Sequence, residues 1–228
     1  MGTLMKRVSG LPLLAVATGL AGLALAGIGC ARAAELTLDI SDYSYEETDE
    51  DGFFMDDDSD PPFVALGLRD WNRPKGKGQF GFMYTGDATA GRVAYNSPNS
   101  GKIHKTYYRA RIEGYLSYRL DDVFTPYIGL GYRFLHDDSG GTIGDNGGIF
   151  YDRQNHLTYL PIGVRVDPFD DWNFKLQFNP VIKGWQISYT TDGRPAGFSD
   201  AHNKQDKGFG FDITANYRIN DKWSAYGF

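Results

Sequence analysis

The chain has 228 residues, 41% of them apolar and 15% aromatic, with 29 glycines and a formal net charge of -6. A mean hydropathy of -0.41 argues against a bundle of membrane helices, and the excess of acid over base argues against nucleic acid as a partner. The single cysteine, Cys30, excludes an internal disulfide.

Residues 1–33 read as a separate object. Lys6 and Arg7 make a basic start, Leu11 to Gly29 is an uncharged apolar run, and Ala31-Arg32-Ala33 offers small residues for cleavage. This is the layout of a helical signal peptide cut before Ala34, leaving a domain over residues 34–228. Gly19, Gly22, Gly27 and Gly29 weaken the same run as a permanent membrane anchor. Gly27-Ile28-Gly29-Cys30 resembles a lipobox but lacks its leucine, so Cys30 is expected to leave with the leader. Lys6, Arg7 and Arg32 would leave too, making the remainder more acidic still.

After Glu35 the apolar period is two, which predicts strands rather than helices. In chain order they are Leu36–Tyr45, Phe63–Trp71, Gln79–Thr85, Tyr108–Leu120, Ile128–Phe134, Thr158–Val166, Phe174–Lys183, Phe209–Ile219 and Trp223–Phe228. The fourth is the clearest: Tyr108, Ala110, Ile112, Gly114, Leu116, Tyr118 and Leu120 alternate with Arg109, Arg111, Glu113, Tyr115, Ser117 and Arg119. By the same alternation Leu130, Val164 and Ile213 join Ile112 on the apolar face, and Thr214 joins Ser117 on the polar one. An added arginine is expected to be much milder at Ser117 or Thr214 than on the apolar face.

The connections alternate long and short. The long ones are Glu46–Pro62, Gly86–Lys105, His136–His156 and Thr190–Lys204; the short ones include Asp121–Val123, Asp167–Asp171 and Asn220–Lys222. Trp71, Tyr118, Phe124, Trp172, Phe174, Tyr217 and Trp223 gather at the short-turn ends. A bacterial transmembrane barrel has this asymmetry and such aromatic girdles. The expected fold is all-β: an antiparallel up-and-down transmembrane β-barrel of nine visible strands. Because single-chain bacterial barrels close with an even count, the expectation is ten strands in a full protein, with on the order of 30–40 residues missing after Phe228.

Taken together, the leader, the alternating strands and the loop asymmetry resemble the small OmpA-like and OmpW-like outer-membrane barrels. Tyr151-Asp152-Arg153 and Tyr159-Leu160-Pro161-Ile162-Gly163 are similar to a broader set of proteobacterial barrels. The resemblance covers the chain after about residue 34 and implies location in the cell outer membrane. It also implies contact with membrane lipid and lipopolysaccharide, and passage through periplasmic chaperones and the barrel-assembly machinery. Only the barrel half of the OmpA pattern is matched.

The candidate lumen charges are Arg109, Arg111, Glu113, Arg119, Arg133, Arg165, Lys175, Lys183, Asp212 and Arg218. They form either a hydrogen-bonded plug or a basic lumen that passes small anionic solutes, the plug being favoured because small barrels are filled by their own side chains. The first long connection holds Glu46, Glu47, Asp49, Glu50, Asp51, Asp56, Asp57, Asp58 and Asp60 without a base. A solvated loop is expected there ahead of a cation site, because the spacing of an EF-hand is absent. Asp200-Ala201-His202 is similar in spacing to the rim dyad of the omptin proteases, and His136 and His156 also fall by outer connections. No nucleophile elbow, phosphate loop or cysteine-based metal site is present, so no cofactor or metal is expected. The expected function is non-enzymatic: a barrel presenting long outer loops for envelope integrity or surface contact. The alternatives are a small solute pore and a rim hydrolase of omptin type.

Overall fold

In a computed structural model that describes residues 34–49, 52–191 and 199–228, the chain is all-β, with its strands in one antiparallel sheet. The signal-peptide reading, with Cys30, falls outside the described residues, as do Glu50 and Asp51. The strands are β1 (Glu35–Ser41), β2 (Ser44–Asp49), β3 (Gly52–Ser59), β4 (Phe63–Asp70), β5 (Phe80–Ser97), β6 (Gly101–Tyr118) and β7 (Phe124–Asp138). There follow β8 (Arg153–Tyr159), β9 (Ile162–Phe169), β10 (Trp172–Ser188), β11 (Ala201–Lys204), β12 (Phe209–Arg218) and β13 (Ser224–Gly227).

Several of these are halves of one pass. β8 and β9 share the neighbours β7 and β10, and they are separated by Leu160-Pro161, where proline has no N–H to give the ladder. β3 and β4 both pair with β5 and are separated by Asp60-Pro61-Pro62. The path through the sheet therefore runs β1-β4-β5-β6-β7-β8-β10-β12-β13, nine passes in sequence order.

The sheet curls so that side chains from distant strands cross its interior. Arg69 of β4 donates from Nη2 to Asn216 of β12 at 2.8 Å and stands 4.3 Å over the Tyr226 ring of β13. No ladder joins β1 to β13 among the described residues; β13 pairs with β12 from Ala215↔Gly227 to Arg218↔Ser224.

Two of the long connections are strand rather than loop. β5 and β6 pair without a break from Phe80↔Tyr118 to Ser97↔Gly101, turning through Pro98-Asn99-Ser100. Residues 46–62 mostly form the β2–β3 hairpin. Their alternation was obscured because polar residues and glycine occupy both faces once the strands pass the apolar band. The short turns fall where expected, except that β9 runs on through Phe169 and leaves only Asp170-Asp171 as the turn before β10. At Asp121-Asp122-Val123, both the Val123 and Phe124 amides donate to Asp121 Oδ1 at 2.7 Å. Those two donors hold the Asp121 carboxyl below the usual carboxylate range.

Alternation sorts the faces. Leu36, Leu38, Ile40, Leu66, Phe82, Leu116, Leu130, Ile162, Leu176, Phe211 and Ile213 are exposed on the outside, Leu130 by 60% and Ile213 by 65%. The interior holds two small apolar clusters, Met83–Tyr115–Tyr127 and Phe63–Val93–Tyr107, with charged layers around them. Close strand approach requires a small residue at Gly129, where a Cβ would stand 2.1 Å from the Gly114 carbonyl oxygen. Backbone cannot swing aside as a side chain can. Gly129→Ala is therefore expected to destabilise the chain by about 1–3 kcal/mol, as overpacking does, read as a lower urea midpoint in detergent.

Candidate functional site

The interior is a stack of ion-paired layers set by inward positions of β4 to β7, β10 and β12. At the short-turn end, Arg165 holds Asp167 through Nε and Nη2 and donates from Nη1 to the Trp71 carbonyl. Above the Met83–Tyr115–Tyr127 cluster lies Glu113, 1% exposed. Its Oε1 accepts from Tyr159 at 2.8 Å and Gln177 at 3.0 Å, and its Oε2 accepts from the Tyr115 hydroxyl. Lys175 Nζ is 3.8 Å from Glu113, donates to Tyr115 at 3.0 Å and stands 4.6 Å over Trp71. Glu113, Tyr115, Tyr159, Gln177 and Lys175 thus partner one another across β6, β8 and β10, the condition under which buried charge is tolerable.

The next layer is looser and borders a cavity of about 380 Å³ lined by Arg109, Arg111, Arg133, Asp39, Asp87 and Asp212, among others. Arg111 pairs with Asp87 at 3.1 Å and with Asp212 at 3.5 Å, while Arg109 reaches Asp87 at 3.5 Å. Arg133 makes no hydrogen bond or ion pair among the described residues and faces the cavity. Above the second apolar cluster, Lys105 lies between Asp57 at 3.0 Å and Asp137 at 2.9 Å, and Tyr107 donates to Asp57 at 2.6 Å. Burial pushes the Asp57 carboxyl up, with Lys105 and the Tyr107 hydroxyl pulling against it.

Of the ten charges expected in the lumen, Arg109, Arg111, Glu113, Arg133, Arg165, Lys175 and Asp212 point inward. The other three do not. Lys183 lies on the outer face, 5.9 Å over the Trp185 ring, because a bulge between Val181 and Lys183 shifts the register by one residue. Arg119 folds onto the turn end, donating to the Pro74 and Lys75 carbonyls and pairing with Asp122 at 2.9 Å. Arg218 is exposed and pairs with Asp171 at 3.1 Å across the turns. The reading from sequence also missed Asp39, Arg69, Asp87, Asp57 and Lys105 inside. Asp57, placed in a solvated acidic loop, is instead 1% exposed and ion-paired.

Asp200 Oδ1 accepts from the Thr191 hydroxyl at 2.8 Å, and His202 is exposed with no bond to it among the described residues. His156 accepts or donates at 2.7 Å with Tyr132 and stacks on Trp185 at 4.7 Å on the outer face. No protein-family model, curated protein or solved structure matches this chain.

Proposed function

We propose that the chain is a non-enzymatic barrel of the bacterial outer membrane, closed inside by the Glu113 layer, that presents its upper hairpins to the exterior for envelope integrity or surface contact. The observation that carries this reading is the inside-out distribution of polarity. Buried Glu113, Lys175, Asp87 and Lys105 stand opposite an exposed apolar outer face. On β6 that face runs unbroken from Tyr118 through Leu116, Ile112 and Ala110 to Tyr108, before Thr106 and His104. Such a stretch rises about 33 Å at the usual strand repeat, or about 25 Å at the ~40° tilt of membrane barrels, which matches their apolar band. Water would penalise so much apolar surface; lipid does not.

Aromatic rings border both rims, Phe80, Tyr118, Trp172 and Tyr217 below and Tyr108, Phe134 and Trp185 above, where amphipathic rings favour the interface. Lipid and lipopolysaccharide are then the surroundings of this surface, and chaperones with the barrel-assembly machinery deliver it. A second reading, a small anion pore, draws on the Arg133 side of the cavity.

Expression of the full chain with its leader tests the first reading. Heat-modifiable protein in the outer-membrane fraction is the expected result, and recovery in the soluble periplasm would refute it. In planar bilayers the purified chain is expected to give no steady conductance; regular anion-selective steps would favour the pore instead.

A further inference from the structure

We propose that His136, Asp138 and Asp152 form a binding site for one divalent transition-metal ion of the zinc type. A ring nitrogen of His136 and one oxygen from each carboxylate lie within 4.8 Å of one another. His136 and Asp138 are two apart on β7 and so share a face, and Asp152 stands at the entry to β8, the neighbouring strand. Bonds of about 2.1 Å to an ion would set the donors roughly 3–3.5 Å apart, so binding would draw the three side chains somewhat closer.

Each group is poised rather than already used. His136 is only 6% exposed and contacts the Tyr108 ring at 5.9 Å and the Phe134 ring at 6.5 Å, both nearly parallel to it. Its Nδ1 is buried with no hydrogen-bond partner among the described residues. Such an unpaired imidazole nitrogen is costly unless something binds the ring. Asp152 Oδ1 accepts the amides of Ser139 at 2.9 Å and Gly140 at 2.5 Å, which orients the carboxylate while Oδ2 takes no hydrogen bond among the described residues. Asp138 makes no hydrogen bond or ion pair among the described residues. Among the described residues no lysine or arginine pairs with either acid; the nearby Lys105 is held by Asp57 and Asp137 on the other face.

One imidazole with two carboxylates suits Zn²⁺ or a similar ion, with water completing the shell, and disfavours Ca²⁺ and Mg²⁺, which prefer oxygen alone. The ion would tie Asp138, where β7 ends, to Asp152, where β8 begins, and so clamp both ends of the connection of residues 139–152. This site lies apart from the interior layers and does not depend on where the barrel resides.

The test is a Zn²⁺ titration of the refolded full chain in detergent, in competition with a chelating dye. The wild type is expected to bind one equivalent that excess Mg²⁺ does not displace. His136→Ala should lose it, and Asp138→Asn should weaken it by at least the roughly 10–100-fold that loss of a supporting group costs. Asp138→Asn removes no existing contact, so it reports even if His136→Ala folds poorly. His202→Ala is expected to bind like wild type. The acidic β2–β3 hairpin can collect ions on its own, so the difference between variants is the criterion, not total uptake. Visible d–d absorption of bound Co²⁺ that disappears in His136→Ala would support the same ligand set. Equal Zn²⁺ binding by wild type, His136→Ala and Asp138→Asn, or no Zn²⁺ binding by wild type, would overturn the proposal.

Discussion

Glu113→Ala is expected to destabilise the chain by about 3–5 kcal/mol, the usual cost of removing one member of a buried ion pair. The loss is large because Glu113 is a hub. It accepts from Tyr115, Tyr159 and Gln177 and lies 3.8 Å from Lys175, so its removal strands three donors and a buried ammonium at once. Trp71, 4.6 Å from Lys175, gives a fluorescence signal for unfolding in urea. Lys175→Met alone should also destabilise, since it leaves the Glu113 carboxylate without its nearest ammonium. The double variant Glu113→Leu with Lys175→Met should recover a substantial part of the loss, because apolar side chains of similar volume often replace a buried pair without penalty. Additive losses in the double variant would mean that the layer is not energetically coupled and that the two charges act separately.

How much of this was legible from sequence depends on whether a side chain obeys the two-residue period. On β6 it does throughout: Glu113, Arg111 and Arg109 point inward and Ile112 and Leu116 outward, as alternation requires. On β5 the outward positions Gly86, Ala88 and Ala90 are too small to mark an apolar face, so Asp87 was lost in what read as a loop. A bulge has no signature in the pattern. Lys183 looked continuous with Lys175 and Gln177, yet the extra residue turns it to the outer face beside Trp185. Arg119 and Arg218 alternate correctly but sit at strand ends, where a long guanidinium reaches turn carbonyls more readily than the lumen. The metal-ligating trio was invisible for another reason. Asp152 meets His136 and Asp138 only because β8 returns alongside β7, and that juxtaposition depends on register, not on spacing in the chain. The nine passes, by contrast, follow from turn residues and alternation alone.

Arginine placed on the outer face is expected to cost about 2–4 kcal/mol near the middle of the apolar band. Leu130→Arg and Ile213→Arg are the sharpest tests, because both side chains are exposed and neither fills a core whose loss would confuse the result. In lipid the guanidinium must drag water or headgroups inward; in detergent-free water the same substitution on an exposed site would be nearly neutral. Ser117 and Thr214, the comparison positions suggested by alternation, do face inward, but they are 1% and 5% exposed. An arginine there would meet packed neighbours, with Ser117 already bonded to the Gly81 carbonyl, so the effect at either position should not be mild. Thr37 is the better control, since it lines the polar cavity near Asp39 and Asp87 and has room and counter-charge for a guanidinium. Folding into lipid vesicles, followed by urea titration, should give losses of a few kcal/mol for Leu130→Arg and Ile213→Arg and well under half of that for Thr37→Arg. Moving the outer arginine to Phe80, at the short-turn rim, should reduce the loss to about 0–1 kcal/mol, because depth in the bilayer sets the penalty. A penalty that is the same at Leu130 and Phe80 would mean that the exposed apolar face does not meet a membrane.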